Sequence, residues 1–276
     1  MGYKTILVHC DAGRTTPGRL AVAAELAGRC GAHLSALHVR HRFEAPVFSD
    51  ATAALDALYR TYEQAVKTEE AASSAAYQAA LAGQRLSSDW RVVDGYAEDE
   101  LVAAARYADL VVVGQREPDP MPEATPADLP ERLALLSERP ILVVPHIGAA
   151  TPPGATVIVC WNGLREASRA AIGALPLLKT AARVIVLTID AEKGEQPEAG
   201  ERAGQWLARH GVKVTVQHDT ATASDVGNVI LSRAADAAAD LVVMGIYGHS
   251  RMREFVLGGA SRTLLASMTV PLLIAH

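Results

Sequence analysis

Glycine spacing near the end of the chain carries the clearest chemistry. The apolar run Leu241-Val-Val-Met244 has strand character and breaks at Gly245. Gly248 follows, then nine residues, then Gly258, Gly259 and Ser261 ahead of an apolar helical pattern. A buried strand that ends in glycines and feeds a helix N-terminus is suited to holding an anion. Glycines let backbone N–H groups approach closely, and the helix end adds partial positive charge. His249, Arg251, Arg253 and Arg262 place further donors nearby. The chemistry this suggests is the binding of a nucleotide phosphate. The chain has neither a Walker G-x4-GK(S/T) run nor a strand-linked GxGxxG, which argues against the ordinary P-loop and dinucleotide readings.

To hold such a loop the chain must supply strands and covering helices, and their pattern is legible. Thr5–Val8, His33–Val39, Ser88–Val93, Leu110–Val113 and Ile141–Val144 read as strands in the first half. Thr156–Val159, Val184–Ile189, Val212–Gln217, Leu241–Met244 and Val270–Ala275 do so in the second. Helical stretches alternate with them: 19–30, a long one before Gly83, 98–107, 165–178, 198–210 and 226–238. Such alternation predicts an α/β chain with parallel sheets. The core is mainly Ala, Val, Leu and Ile, since 50% of residues are hydrophobic and only 5% aromatic.

The pattern occurs twice. Ala108-Asp-Leu-Val-Val-Val-Gly114 parallels Ala239-Asp-Leu-Val-Val-Met-Gly245, and Pro140 parallels Pro271 at the same offset. This is an internal duplication. The linker-like stretch His146-Ile-Gly-Ala-Ala-Thr-Pro-Pro-Gly154 places a boundary near residue 150, giving domains 1–147 and 154–276.

The equal offset permits a residue-by-residue comparison of the two loops. Glu117 stands opposite Gly248, Ala127 opposite Gly258, Asp128 opposite Gly259 and Pro130 opposite Ser261. The first loop, Gln115 to Pro130, holds five prolines and four acids and should repel phosphate. One nucleotide site per chain is expected, in the second half.

These residues resemble the universal stress protein family in a tandem, two-domain form, over essentially the whole chain. Gly245, Gly248 and Gly258 fit its ATP-binding spacing G-x2-G-x9-G-(S/T). Gly259 departs from it, standing where the family usually has Ser or Thr; Ser261 matches a second hydroxyl position used on the phosphates. Asn162 stands where binding members commonly have Asp after the first strand, facing the nucleoside. Ile189 matches the end of the second strand, whose backbone meets the adenine. His249 is a loop residue in reach of phosphate rather than a catalyst. The resemblance implies two Rossmann-like sheets of order 3-2-1-4-5, with ligand at the C-terminal strand ends. It also implies an intrachain pseudo-dimer through the last strands, 141–144 against 272–275, and leaves room for a homodimer. The implied ligand is ATP, with or without Mg²⁺, in a stress-response protein acting as a nucleotide-responsive module. A slow ATPase or autophosphorylating protein is the enzymatic alternative, and a scaffold without nucleotide is the third reading. No general base or acid pair for Mg²⁺ stands out.

Other signals are weaker. With a net charge of −5 and a sequence pI near 6.0, no global field favours nucleic acid. No apolar run reaches the roughly 18–20 residues of a membrane span, and the N-terminus enters a strand without a leader pattern. A cytoplasmic location is therefore expected. Cys10, Cys30 and Cys160 lack ligand or disulfide spacing, and His38 and His41 lack a carboxylate or Cys partner at ligand spacing, so no metal is expected. Asp11 repeats the position of Asn162 with an acid and is expected to be a turn acid that caps the next helix. Trp161 reads either as packing at the strand end or as a flank of the nucleoside.

Overall fold

The computed structural model describes residues 2–43, 52–116, 128–149, 153–190, 198–222, 225–247 and 259–276. In the first half the elements are β1 (Thr5–Cys10), α1 (Thr16–Cys30), β2 (His33–His41), α2 (Thr52–Leu81), β3 (Ser88–Gly95), α3 (Ala97–Ala105), β4 (Leu110–Gly114), α4 (Leu129–Leu136) and β5 (Ile141–Val144). The second half comprises β6 (Thr156–Cys160), α5 (Arg165–Leu178), β7 (Arg183–Asp190), α6 (Ala199–Arg209), β8 (Val214–Thr220), α7 (Val226–Asp236), β9 (Leu241–Gly245), α8 (Gly259–Ser267) and β10 (Leu272–Ala275).

All ten strands form one sheet, in the order β3-β2-β1-β4-β5-β10-β9-β6-β7-β8. Each half thus has the expected 3-2-1-4-5 order with parallel pairing. The halves join through the antiparallel pair β5–β10, in which Leu142 faces Leu273 and Ile141 faces Ile274. Val, Leu and Ile alternate across the sheet and bury both faces. Ile6, Val8, Val157 and Val159 turn toward the layer of α1, α2, α5 and α6, while Leu7, Val111, Ile158 and Val242 turn toward α3, α4, α7 and α8. Each layer runs across both halves, so the joint belongs to the core.

The repeated Ala-Asp-Leu motif has a physical reason. Asp109 accepts hydrogen bonds from the backbone N–H groups of Lys4 and Thr5, at 2.6 and 3.0 Å. Asp240 does the same for Gly154, Ala155 and Thr156, at 2.9–3.1 Å. Each aspartate ties the strand that opens its half to the fourth strand, satisfying donors that would otherwise be orphaned.

Two contacts outside the sheet reinforce the joint. Tyr3 donates its hydroxyl to the Gly173 carbonyl at 2.6 Å, and a side chain at Gly173 would fall 2.8 Å from the Pro140 ring. The sequence pattern shows no helix between β4 and β5 because the preceding loop is dense in proline and acids. The structure places α4 there. Pro130 lies in its first turn, where a missing N–H breaks no helical bond.

Candidate functional site

Parallel sheets of this order open a crevice at the C-terminal strand ends, where the connections part to opposite faces. In the second half that point lies between β6 and β9. These strands pair with Val157 beside Leu241 and Val159 beside Val243. Gly245 closes β9, Asn162 follows β6, and Ile189 lies near the end of β7, on the other side of β6. All three sit on one edge of the sheet. Gly259 and Ser261 form the first turn of α8, whose leading N–H groups have no carbonyl one turn earlier within the helix. Gly248, His249 and Gly258 lie outside the described residues, as do Arg251 and Arg253.

The described members differ in what they do. At Gly245 an added Cβ would press into the backbone of Glu166 and Ala167, and would come 2.7 Å from the Glu166 Cβ. This glycine is thus required by the close seating of α5 on β9, and that seating brings the start of α5 to the crevice. Among the described residues nothing lies within 4 Å of a Cβ at Gly259. Ser261 is buried. Asn162 is exposed, and its side-chain oxygen accepts the Leu164 N–H at 3.1 Å, closing an Asx-type turn. Ile189 is partly buried and packs against the α7–α8 layer.

The first half is filled at the corresponding place. Arg19, only 3% exposed, enters from α1. Its guanidinium pairs with Asp11 at 2.9 Å and donates to the Thr16 hydroxyl at 2.7 Å. The guanidinium also lies so close to Gly114 that a Cβ there would overlap Nη1. Asp11 additionally accepts from the Gly13 N–H at 3.0 Å and from the Thr16 hydroxyl. Burial pushes the Asp11 carboxyl up, but Arg19, His9, Thr16 and Gly13 outweigh it and hold the group well below the usual carboxylate range. Burial also pulls the His9 imidazole down to about 4, against the opposing pull of Asp11. His9 is therefore neutral near pH 7. His38 stacks on Trp90 and bonds the Cys10 carbonyl at 2.9 Å, closing the same pocket of polar groups.

Asp11 thus serves its own turn through the Gly13 N–H, while the cap position of α1 falls at Thr15 and the other contacts of Asp11 are with the side chains of Thr16 and Arg19. Its partner Arg19 carries no signal in the sequence, where it is one of many basic residues on helices. A second unforeseen residue is Tyr247, which stands at φ 62, in the left-handed region that favours glycine. Its ring meets His276 edge-on at 6.0 Å. Bulky residues rarely adopt this backbone, and a chain retains such strain mostly at turns and functional sites. Tyr247 directly precedes Gly248 in the sequence.

Glu166, buried at the start of α5, is paired with Arg165 at 2.5 Å. Burial raises its carboxyl, yet Arg165 and a backbone N–H bring it below its ordinary value. Among the described residues no group of three His, Cys, Asp or Glu side chains could hold a metal ion, and no helix is long and apolar enough to cross a membrane.

Comparison with known proteins agrees with this architecture. The model of the universal stress protein family matches residues 2–145 and again 156–276. Among solved structures, the chain is similar to a universal stress protein from Archaeoglobus fulgidus DSM 4304. The two are 16% identical, with 98% of this chain and 95% of that one covered and a TM-score of 0.72. It is also similar to a functionally unknown protein from Pseudomonas aeruginosa PAO1, at 16% identity, 99% and 92% coverage and a TM-score of 0.60. At these identities the likeness concerns the fold. No curated protein matches the chain. The family match, repeated along the sequence, coincides with a sheet built twice in 3-2-1-4-5 order, and the chain belongs to the universal stress protein family.

Proposed function

We propose that this protein binds one adenine nucleotide, ATP, in the crevice of its second half and acts as a nucleotide-responsive stress protein of the cytoplasm. In this reading residues 154–276 form the binding domain and residues 1–147 a domain without a nucleotide loop. The observation that carries it is the contrast between the two crevices. Arg19 fills the one beside Gly114 with its guanidinium, whereas the described atoms nearest a Cβ at Gly245 are the Ala167 N, the Glu166 carbonyl carbon and the Glu166 Cβ, at the start of α5. Gly245, Gly248, His249, Gly258, Gly259 and Ser261 would surround the phosphates, with Mg²⁺ where the phosphates recruit it. Asn162 would face the nucleoside and the Ile189 backbone the adenine. The Asn162 oxygen is engaged by Leu164, so its NH₂ is the group available to a ligand.

That same bond favours a second reading, a scaffold that binds no nucleotide, because it gives Asn162 a sufficient structural role. Calorimetric titration with ATP, AMP and GTP, with and without Mg²⁺, separates the two. Binding at one site per chain with preference for adenine supports the nucleotide reading. Absence of heat with all three supports the scaffold.

A further inference from the structure

We propose that Gln115, in the first half, is a positioning residue for the nucleotide site of the second. Its side chain crosses the joint and donates to the carbonyls of Leu265 and Ala266, at 2.9 and 3.2 Å. These carbonyls belong to the last turn of α8, where no N–H within the helix remains to satisfy them. Gln115 is itself held firmly. Its backbone N–H donates to Val144 at 2.8 Å, which extends the β4–β5 ladder by one bond. Its side-chain oxygen accepts from the His146 backbone N–H at 3.0 Å and is bonded to His146 Nδ1 at 2.8 Å. The carboxamide is 5% exposed and uses both its ends.

The other end of α8 carries Gly259 and Ser261, so a fixed last turn fixes where the first turn points. Along its length α8 is packed against α7 through Gly227, at which a Cβ would fall 2.6 Å from Thr263 Cβ and 3.1 Å from the Ala260 carbonyl. Helix α7 thus sets the lateral position of α8, and Gln115 sets its far end. A preorganised helix binds an anion without first losing freedom.

The duplication supplies an internal control. Ile246 occupies the position that corresponds to Gln115, and it makes the matching backbone bond to Ala275 at 2.9 Å. Its aliphatic side chain cannot cap anything. In the first half the end of α4 is served locally, by the Ser137 hydroxyl donating to Leu133 at 2.6 Å. The cross-joint cap exists on one side only, and that side is the helix with the glycine loop. The residue that begins the first half's proline-rich loop thereby serves as a brace for the second half.

This inference rests on the nucleotide reading for its consequence, but the brace itself can be read without ligand. Gln115→Leu keeps much of the volume and removes both donors and acceptor. Hydrogen exchange of the ligand-free protein should show the amides of α8 exchanging about tenfold faster, with β1–β3 and their helices unchanged. ATP affinity should fall about five- to tenfold, within the usual range of coupling between sites. His146→Ala, which loosens Gln115 without removing it, should give the same pattern more weakly and serves if Gln115→Leu does not fold. Faster exchange confined to α8 with weaker ATP binding supports the proposal. Unchanged exchange in α8, or faster exchange with unchanged ATP affinity, overturns it. If wild-type protein binds no ATP, the nucleotide reading fails. The brace then stands or falls on the exchange result alone.

Discussion

Gly114 and Gly245 end corresponding strands in the two halves, yet they admit different neighbours. Gly245 is pressed by the backbone of α5, whereas Gly114 is met by the guanidinium of Arg19. One duplicated framework has therefore kept its glycines for two purposes. In the second half the backbone at the start of α5 seats directly against the strand end, and under the proposed reading its N–H groups are available to an anion. In the first, a charged side chain has moved in and is neutralised by Asp11. Glycine alone does not define the site. The side chains admitted beside it do.

The largest effect that would sharpen this contrast is expected at Arg19. Arg19→Leu leaves Asp11, a partly buried acid, without its partner and should cost about 3 kcal/mol, the lower end of the range for breaking a buried pair from one side, because the carboxylate keeps some access to water. The double change with Asp11→Asn should recover most of it. Thermal or denaturant unfolding measures both, and equal stability in single and double variants would break the account of a filled crevice.

Next in size is Gly245→Ala. Its new Cβ meets backbone, which cannot swing aside, so a loss of about 1–3 kcal/mol or more is expected from overpacking. A neutral result in denaturant unfolding would show that α5 is not seated where the geometry puts it.

The first half should contribute a pH dependence of its own. The folded-state His9 value of about 4 lies below its ordinary 6.5, so between these values the unfolded chain binds more protons than the folded one. Stability is then full above about pH 6.5 and falls by up to about 3 kcal/mol as pH drops to 4. Below that, protonation of Asp11 adds to the loss, since its carboxyl is also depressed in the folded state. Melting temperature against pH checks this. His9→Asn should flatten the upper part of the curve, and an equally steep fall in that variant would point elsewhere.

The smallest effect is expected at Gly259. Gly259→Ser meets no described residue within 4 Å at the start of α8 and should leave the melting temperature within a degree or two. It restores a hydroxyl where the family usually has one, so ATP affinity should rise about two- to fivefold by calorimetry, in proportion to one added hydrogen bond.

Much of this was legible in the sequence because it rests on local pattern. The strands, their order and the joint through the last strands follow from runs such as Leu241–Met244, from the repeated Ala-Asp-Leu motif and from the family resemblance, whereas the antiparallel sense of the joint is read from the structure. Gly245 could be picked out by spacing, but its physical reason, the approach of Glu166 and Ala167, could not, since it depends on how α5 lies. The Arg19–Asp11 pair was hidden because nothing in a helical arginine reveals that it points inward. Gln115 was hidden for a different reason. Its partners Leu265 and Ala266 lie in the other half, and no periodicity links them. Helix α4 escaped because Pro130 reads as a breaker unless its place in the first turn is known. The strain at Tyr247 leaves no mark in composition at all.

The central claim is that one crevice is open to nucleotide and the other is filled. Calorimetric titration of the wild-type chain and of Gly248→Glu with Mg²⁺-ATP tests it most directly. The account predicts one ATP per wild-type chain, and loss of binding in a Gly248→Glu protein whose melting temperature is preserved. Two ATP per wild-type chain, or undiminished binding in Gly248→Glu, would contradict it.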